Sequence, residues 1–99
     1  MMFTVQNERN IIMIQTITKL VPKKYYIIDG VELAANDVFR VLETITCEFD
    51  DDIDYYLYSC ADKLVELGYL TKSYGHRQSI VYEDANGKAK ELFDELIHQ

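Results

Sequence analysis

The sequence predicts a small α+β domain in which helices alternate with short strands. The chain has 99 residues, which leaves room for one hydrophobic core and so for a single domain over residues 1–99. Hydrophobic residues make up 48% of the chain and charged residues 27%, as is typical of folded globular proteins rather than disordered ones. Stretches with helical spacing of apolar residues alternate with short β-branched or aromatic runs, which indicates a mixed fold.

The first half of the chain is predicted to form a helix, a short strand and a second helix. The apolar residues that precede Pro22 lie on one helical face, which predicts a first helix over about residues 7–20. Residues 25–28 form an aromatic and β-branched run that ends at an Asp-Gly turn signal, so we expect a short strand. After Gly30, apolar residues recur at alternating steps of four and three, which predicts a second helix over about residues 31–46.

The second half is predicted to form a helix, a two-stranded hairpin and a C-terminal helix. An apolar helical face from residue 53 to residue 67 predicts the third helix, and Gly68 suits the left-handed position that ends it. Residues 69–74 and 79–83 have the composition of strands, and the glycine-containing loop between them is typical of a hairpin. Apolar residues at helical spacing then predict an amphipathic helix over residues 85–98.

The acidic charge is concentrated in one segment. The chain carries a net charge of -7, which argues against a protein that coats polyanions nonspecifically. Residues 48–66 contain seven acidic residues and one lysine, whereas residues 67–82 contain one lysine, one arginine and no acidic residue. The third helix is therefore expected to begin on an acidic surface, and the hairpin is expected to be basic.

Nothing in the sequence predicts a membrane or secreted protein. No apolar run reaches the 18 or so residues that a membrane span needs, and the first ten residues lack the pattern of a signal peptide. Cys47 and Cys60 are too few for a disulfide-stapled scaffold. We expect a soluble cytoplasmic protein with two buried thiols. A disulfide remains the alternative if the source keeps intracellular disulfides, as some hyperthermophiles do.

No catalytic, metal or cofactor site is expected. The chain has no nucleophile with a plausibly adjacent histidine, no phosphate-binding loop and no glycine-rich nucleotide motif. Asp50, Asp52 and Asp54 imitate the start of a calcium loop, but Tyr55 replaces its glycine and Ala61 its final acid. These acids are better explained as a cap and first-turn charges of the third helix. The sequence therefore predicts a protein that is not an enzyme.

Two segments resemble winged helix-turn-helix regulators of the PadR-like and MarR-like families. Residues 57–70, Leu-Tyr-Ser-Cys-Ala-Asp-Lys-Leu-Val-Glu-Leu-Gly-Tyr-Leu, resemble the end of the recognition helix and the start of the wing. Residues 81–92, Val-Tyr-Glu-Asp-Ala-Asn-Gly-Lys-Ala-Lys-Glu-Leu, resemble the second wing strand and its exit into a helix. Small winged-helix proteins of archaea and their viruses share this pattern. The resemblance implies a three-helix core, a short strand, a two-stranded wing and a C-terminal helix.

The resemblance also implies a function. It implies a small dimeric transcription regulator that binds double-stranded DNA sequence-specifically, with the third helix in the major groove and the wing on the adjacent minor groove or backbone. The candidate DNA contacts lie on the third helix, on the wing and beside the first strand: Tyr55, Ser59, Lys63, Lys72, His76, Arg77, Gln78, Lys23 and Lys24. The candidate homodimer contacts are apolar residues of the first and last helices: Ile14, Ile17, Leu92, Phe93, Leu96 and Ile97.

Two alternatives remain open, one for Lys63 and one for the function of the whole domain. Lys63 lies three residues before Glu66, so it could form an intrahelical ion pair instead of a phosphate contact. The acids of residues 48–66 could instead dock the third helix on a basic protein partner, because fold alone does not fix function. The alternative is therefore a winged-helix protein-interaction module.

Overall fold

The computed structural model describes residues 12–19, 23–47 and 53–98. Over these residues the predicted α+β class is confirmed. The fold has three α-helices and five strands in two antiparallel sheets, however, rather than the four helices and three strands of the predicted architecture. In chain order the elements are β1 (Ile14–Thr18), β2 (Lys24–Ile28), β3 (Val31–Ala34), α1 (Ala35–Thr46), a 3-10 turn (Tyr55–Leu57), α2 (Tyr58–Glu66), β4 (Leu70–Tyr74), a second 3-10 turn (His76–Gln78), β5 (Ile80–Asp84) and α3 (Lys88–Ile97). One sheet has the order β1-β2-β3, and the other is the β4-β5 hairpin.

The helix predicted over residues 7–20 is wrong where the structure describes it. Ile14–Thr18 is β1, which pairs antiparallel with β2 in a register that places Ile14 opposite Ile28. Four of the five residues of β1 are β-branched, and such residues lose side-chain freedom in a helix but pack well on a sheet. This composition outweighs the helical spacing of the isoleucines. Residues 7–11 and 20 lie outside the described part of the chain.

The second predicted helix is shorter than expected because the chain turns back before it. Asp29 and Gly30 have φ angles of 50° and 88°, and a two-residue hairpin turn of type I′ requires positive values at both positions. After this turn, Val31–Ala34 runs antiparallel to β2 and pairs with it as β3. α1 therefore begins at Ala35, and the strand predicted over residues 25–28 is confirmed as β2.

The predictions for the second half of the chain are confirmed with small shifts. α2 covers the centre of the helix predicted from residue 53 to residue 67, and a 3-10 turn precedes it. Gly68 has a φ of 92° and its N–H donates to the Val65 carbonyl, so this glycine ends the helix as expected. β4 and β5 form the expected hairpin, and α3 is the expected C-terminal helix.

One core joins the two sheets to the three helices. α1 packs against β2, β3, α2 and α3, and the rings of Phe39 and Phe93 meet edge to face with centroids 5.6 Å apart. The Tyr69 hydroxyl donates a 2.5 Å hydrogen bond to Oδ2 of Asp29, which connects the residue before β4 to the turn between β2 and β3. The buried apolar residues are Tyr26, Ile28, Leu33, Ala35, Val38, Val41, Leu42, Ile53, Leu57, Cys60, Ala61, Leu64, Tyr69, Leu70, Tyr82, Ala89, Leu92 and Leu96.

Candidate functional site

α2 and the β4-β5 hairpin lie against each other through one group of side chains. Asp62 of α2 accepts at Oδ1 from the Tyr82 hydroxyl at 2.6 Å and from the Lys72 ammonium at 3.0 Å. Tyr58 of α2 packs against Tyr82 with 5.7 Å between ring centroids, and Lys72 Nζ lies 5.7 Å from the centre of the Tyr82 ring. We call Tyr58, Asp62, Lys72 and Tyr82 the junction cluster. It fixes the position of the hairpin relative to the helix.

The junction cluster holds an ion pair at neutral pH. The hydrogen bond from Tyr82, together with the hydrogen bond and charge of Lys72, holds the pKa of Asp62 below its ordinary value, although burial opposes them. The hydrogen bond to Asp62 raises the pKa of Lys72. Burial and the hydrogen bond to Asp62 raise the pKa of Tyr82. Asp62 is therefore a carboxylate, Lys72 an ammonium group and Tyr82 a neutral donor.

The tip of the hairpin is a tight turn that exposes three predicted DNA contacts. His76, Arg77 and Gln78 are all exposed. Arg77 and Gln78 have positive φ angles of 57° and 62°, so they occupy the two central positions of a turn closed by the Ser79 N–H and the His76 carbonyl at 3.2 Å. A 2.6 Å hydrogen bond from the Gly75 N–H to the Ser79 carbonyl adds a second closure. The side chains at the tip therefore project from a well-defined backbone.

The predicted contacts on α2 share one exposed side of the helix with the junction cluster. Ser59 and Lys63, four residues apart, are both exposed, and Tyr55 before the helix is 82% exposed. Among the described residues Lys63 has no ion-pair partner, so the alternative pair with Glu66 does not form. The structure thus places Ser59 and Lys63 on the helix that packs against the hairpin, and Tyr55 just before it. Lys72 is already paired with Asp62.

The two remaining predicted contacts belong to the other sheet. Lys24 is the exposed first residue of β2, and Lys23 precedes it. The ammonium groups of Lys19 and Lys23 lie 4.7 and 5.7 Å from the centre of the Tyr25 ring, within the range of a cation–π interaction. Lys23 and Lys24 therefore lie at the start of β2, in the other sheet, and Lys19 beside them is paired with Glu32 at 2.6 Å.

The structure corrects the reasoning behind the predicted dimer contacts. Ile14 and Ile17 lie on a strand and not on a helix. Leu92 and Leu96 are buried in the core of their own chain, so they need no partner surface. Phe93 is half-buried against Phe39. Ile97, which is 53% exposed, is the one residue of this set on α3 that leaves a large apolar surface free.

The sequence analysis missed the contacts that join Asp62 to Lys72 and Tyr82. The hairpin register places Lys72 opposite Tyr82, and strand alternation could have shown that the two share a face. Their contact with Asp62 depends on how α2 packs on the hairpin, and no spacing in the sequence carries that information. Asp62 therefore emerges only from the tertiary structure.

The two cysteines differ in accessibility. Both are free thiols, so no disulfide joins them. Cys60 of α2 is buried, whereas Cys47 after α1 is only half-buried. Burial, reinforced by the charge of Asp37, raises the pKa of the Cys60 thiol from 9.0 to about 12. The expectation of a fully buried thiol therefore holds for Cys60 and not for Cys47.

We expect an alkylating reagent at pH 8 to modify Cys47 in the folded chain and Cys60 only after unfolding, because the thiolate is the nucleophile. The buried thiol also makes stability depend on pH. Between about pH 9 and pH 12 the Cys60 thiol keeps its proton in the folded chain and loses it in the unfolded chain. The contribution of this thiol to the free energy of unfolding is therefore complete below about pH 9 and is lost between about pH 9 and pH 12. The loss is about 1.4 kcal/mol per pH unit. Mass spectrometry of alkylated wild-type and Cys47→Ser chains measures the reactivity of the two thiols. Alkylation of Cys60 in the folded Cys47→Ser chain would contradict the expectation that Cys60 is protected.

The described part of the chain offers no metal site and no membrane span. No three His, Cys, Asp or Glu side chains within it are arranged to hold a metal ion. None of its helices has the length and apolar character needed to cross a bilayer. Asp50 and Asp52 lie outside it. Asp54 is exposed and precedes the 3-10 turn without a side-chain capping hydrogen bond, so the prediction that it caps α2 is wrong. Comparisons of the chain with protein-family models, curated proteins and solved structures found no match.

Proposed function

We propose that the chain is a winged helix-turn-helix protein that binds double-stranded DNA. α1 and α2 form the helix-turn-helix, the β4-β5 hairpin is the wing, and α3 is the C-terminal helix. The observation that carries the proposal is the junction cluster. It holds α2 beside the hairpin while Ser59, Lys63 and Arg77 stay exposed on the two elements. A helix and a hairpin held in this way can contact two neighbouring parts of a duplex at once.

The dimensions and side chains of the two elements suit this binding mode. An α-helix with its side chains is about 10–12 Å across, and the major groove is about 12 Å wide, so α2 can enter it. Ser59 can bond a base edge or a phosphate, and Lys63 can anchor a phosphate. Arg77 on the hairpin tip suits the narrow, negative minor groove. Lys72 acts in this proposal mainly by positioning Asp62, because its ammonium is already paired.

The same proposal includes a homodimer that acts as a cytoplasmic transcription regulator without enzymatic activity or cofactor. A two-fold symmetric protein matches a palindromic DNA site, and half-sites then lie about one helical turn apart. The exposed Ile97 on α3 is an apolar side chain available for pairing.

Titration of a fluorescent random-sequence duplex with the full chain tests DNA binding. We expect binding at low salt that weakens as salt rises, because phosphate contacts release counterions. With about four phosphate contacts the log–log slope would be roughly -3 to -4. Anisotropy at two or more salt concentrations measures both quantities. The absence of binding at low salt, where attraction is least screened, would rule out the proposed function.

Exposed tyrosines favour a second candidate, a protein-interaction module. Tyr55, Tyr56 and Tyr74 are 82%, 57% and 68% exposed, and aromatic residues are enriched where proteins meet. Asp54 adds negative charge directly before Tyr55, and Glu66 adds it at the end of α2, which suits a basic partner. Titration of a fluorescent arginine-rich peptide separates the candidates. The module predicts peptide binding that survives Arg77→Ala but weakens on Asp54→Asn, with no binding to duplex DNA.

A further inference from the structure

Asp62 is fixed by one carboxylate oxygen and open at the other. It lies in the middle of α2, on the same exposed side of the helix as Ser59 and Lys63. Oδ1 accepts both hydrogen bonds of the junction cluster, from Tyr82 and from Lys72. No described residue donates to Oδ2, and 42% of the side chain is exposed. An incoming group can therefore reach an acceptor whose position is already set.

The protonation and charge pairing of the Asp62 carboxylate determine which groups it can bind. The pKa of Asp62 is held below its ordinary value, so at neutral pH Oδ2 is an acceptor without a proton to donate. The ammonium of Lys72 at 3.0 Å offsets its negative charge. A paired carboxylate is repelled less by DNA phosphates than an isolated one would be. Asp62 can therefore approach a duplex while keeping one acceptor free.

We infer that Asp62 Oδ2 accepts a hydrogen bond from the N4 amino group of a cytosine in the major groove, which makes Asp62 a specificity-determining residue. The inference rests on the proposed function, since α2 must lie in the groove for this contact to form. Cytosine presents an amino donor there without an adjacent acceptor. Adenine places its N7 acceptor next to its amino group, and guanine and thymine offer no amino donor there, so all three suit a carboxylate less well than cytosine does.

This assignment gives the other members of the junction cluster a role. Tyr82 and Lys72 are positioning residues, because they hold Oδ1 and so aim Oδ2. A carboxylate with locked rotamers loses less conformational freedom on binding than a mobile one. The hairpin then contributes to base recognition through α2, in addition to any contact that its tip makes.

Selection of binding sites from a pool of randomised duplexes tests the inference. The full-length wild-type chain is expected to enrich a cytosine at one position of its site. Asp62→Asn is expected to shift that position towards adenine, whose N6 and N7 match an amide, and to leave the other positions unchanged. On the selected wild-type site the variant should bind about tenfold more weakly, a loss of about 1.4 kcal/mol.

Asp94→Asn is the matched control. Asp94 of α3 pairs with Lys90 at 3.0 Å, the same distance as in the Asp62–Lys72 pair. Each substitution removes one negative charge and frees one lysine, but only Asp62 lies on α2. We expect the control to keep the wild-type base preferences.

The possible outcomes distinguish failure of the inference about Asp62 from failure of the proposed DNA binding. If Asp62→Asn binds all duplexes more tightly with unchanged base preferences, Asp62 only neutralises Lys72, and the inference is wrong while DNA binding stands. If the wild-type chain binds no duplex, the proposed function itself fails. If Asp62→Asn does not fold, Tyr82→Phe decides, because it deletes one hydrogen bond to Oδ1 without changing charge. A reduced cytosine preference supports the inference, and a preference of full strength contradicts it.

Discussion

Leu92→Ala is expected to lower the free energy of unfolding by about 3 kcal/mol. The side chain is fully buried in the centre of α3, and its removal costs both the transfer free energy of its carbons and the cavity left behind. For a domain of this size the melting temperature should fall by roughly 12 to 24 °C. Thermal and denaturant unfolding followed by circular dichroism measure the change.

Ile97→Ala is the control for this variant and also tests the dimer. Ile97 lies on the same helix but is 53% exposed, so its loss should change the stability of an isolated chain by less than about 1 kcal/mol. Sedimentation of the wild-type chain should report about twice 11.6 kDa if the homodimer forms. A monomeric wild type would contradict the dimer, and a Leu92→Ala chain of unchanged stability would contradict the assignment of the core.

Arg77→Ala is expected to weaken duplex binding and to make its salt dependence shallower by about one unit in the log–log slope. Arg77 is exposed at the hairpin tip and has no ion-pair partner among the described residues, so its full charge is available to DNA. Each phosphate contact that is lost removes about one released counterion. An arginine that reads a base would instead change sequence preference. Anisotropy titrations over a range of salt concentrations distinguish these results.

Lys88→Ala is the matched control for Arg77→Ala. Lys88 is exposed at the start of α3 and, within the described part of the chain, also makes no ion pair, so its removal changes net charge by the same amount. We expect it to leave DNA affinity within about twofold and the salt slope unchanged, since it lies outside the surface of α2 and the hairpin. Equal effects of the two substitutions would show that the hairpin tip has no special role.

The sequence predicted the second half of the fold better than the first, for a physical reason. From residue 53 onward each element has its own local signal, such as Gly68 at the end of α2 and the loop glycine within the hairpin. In the first half, residues 14–18 fit a helical face by spacing and a strand by composition. Whether these residues form a helix or a strand depends on their pairing with β2, and this pairing is visible only in the tertiary structure.

The candidate site divides in a similar way. Exposure of Ser59, Lys63 and Arg77 follows from helical periodicity and from the hairpin, so these residues could be proposed from the sequence alone. The pairing of Lys72 with Asp62 could not be proposed from the sequence, because ten residues and a change from helix to strand separate the two. Buried Leu92 and Leu96 show the opposite error. An apolar helical face predicts that something covers it, but not whether the cover comes from the same chain.

The turn at the hairpin tip shows that this chain does not maximise its own stability. Arg77 and Gln78 adopt left-handed conformations that cost L-residues with a Cβ atom roughly 1–2 kcal/mol each, and an Asn-Gly pair would form such a turn with less strain. A sequence optimised for folding alone would carry that pair and would lose the guanidinium and amide groups at the outermost point of the hairpin. Engineering of a more thermostable form would therefore begin at these two positions, and it would remove the side chains that the proposed function needs most.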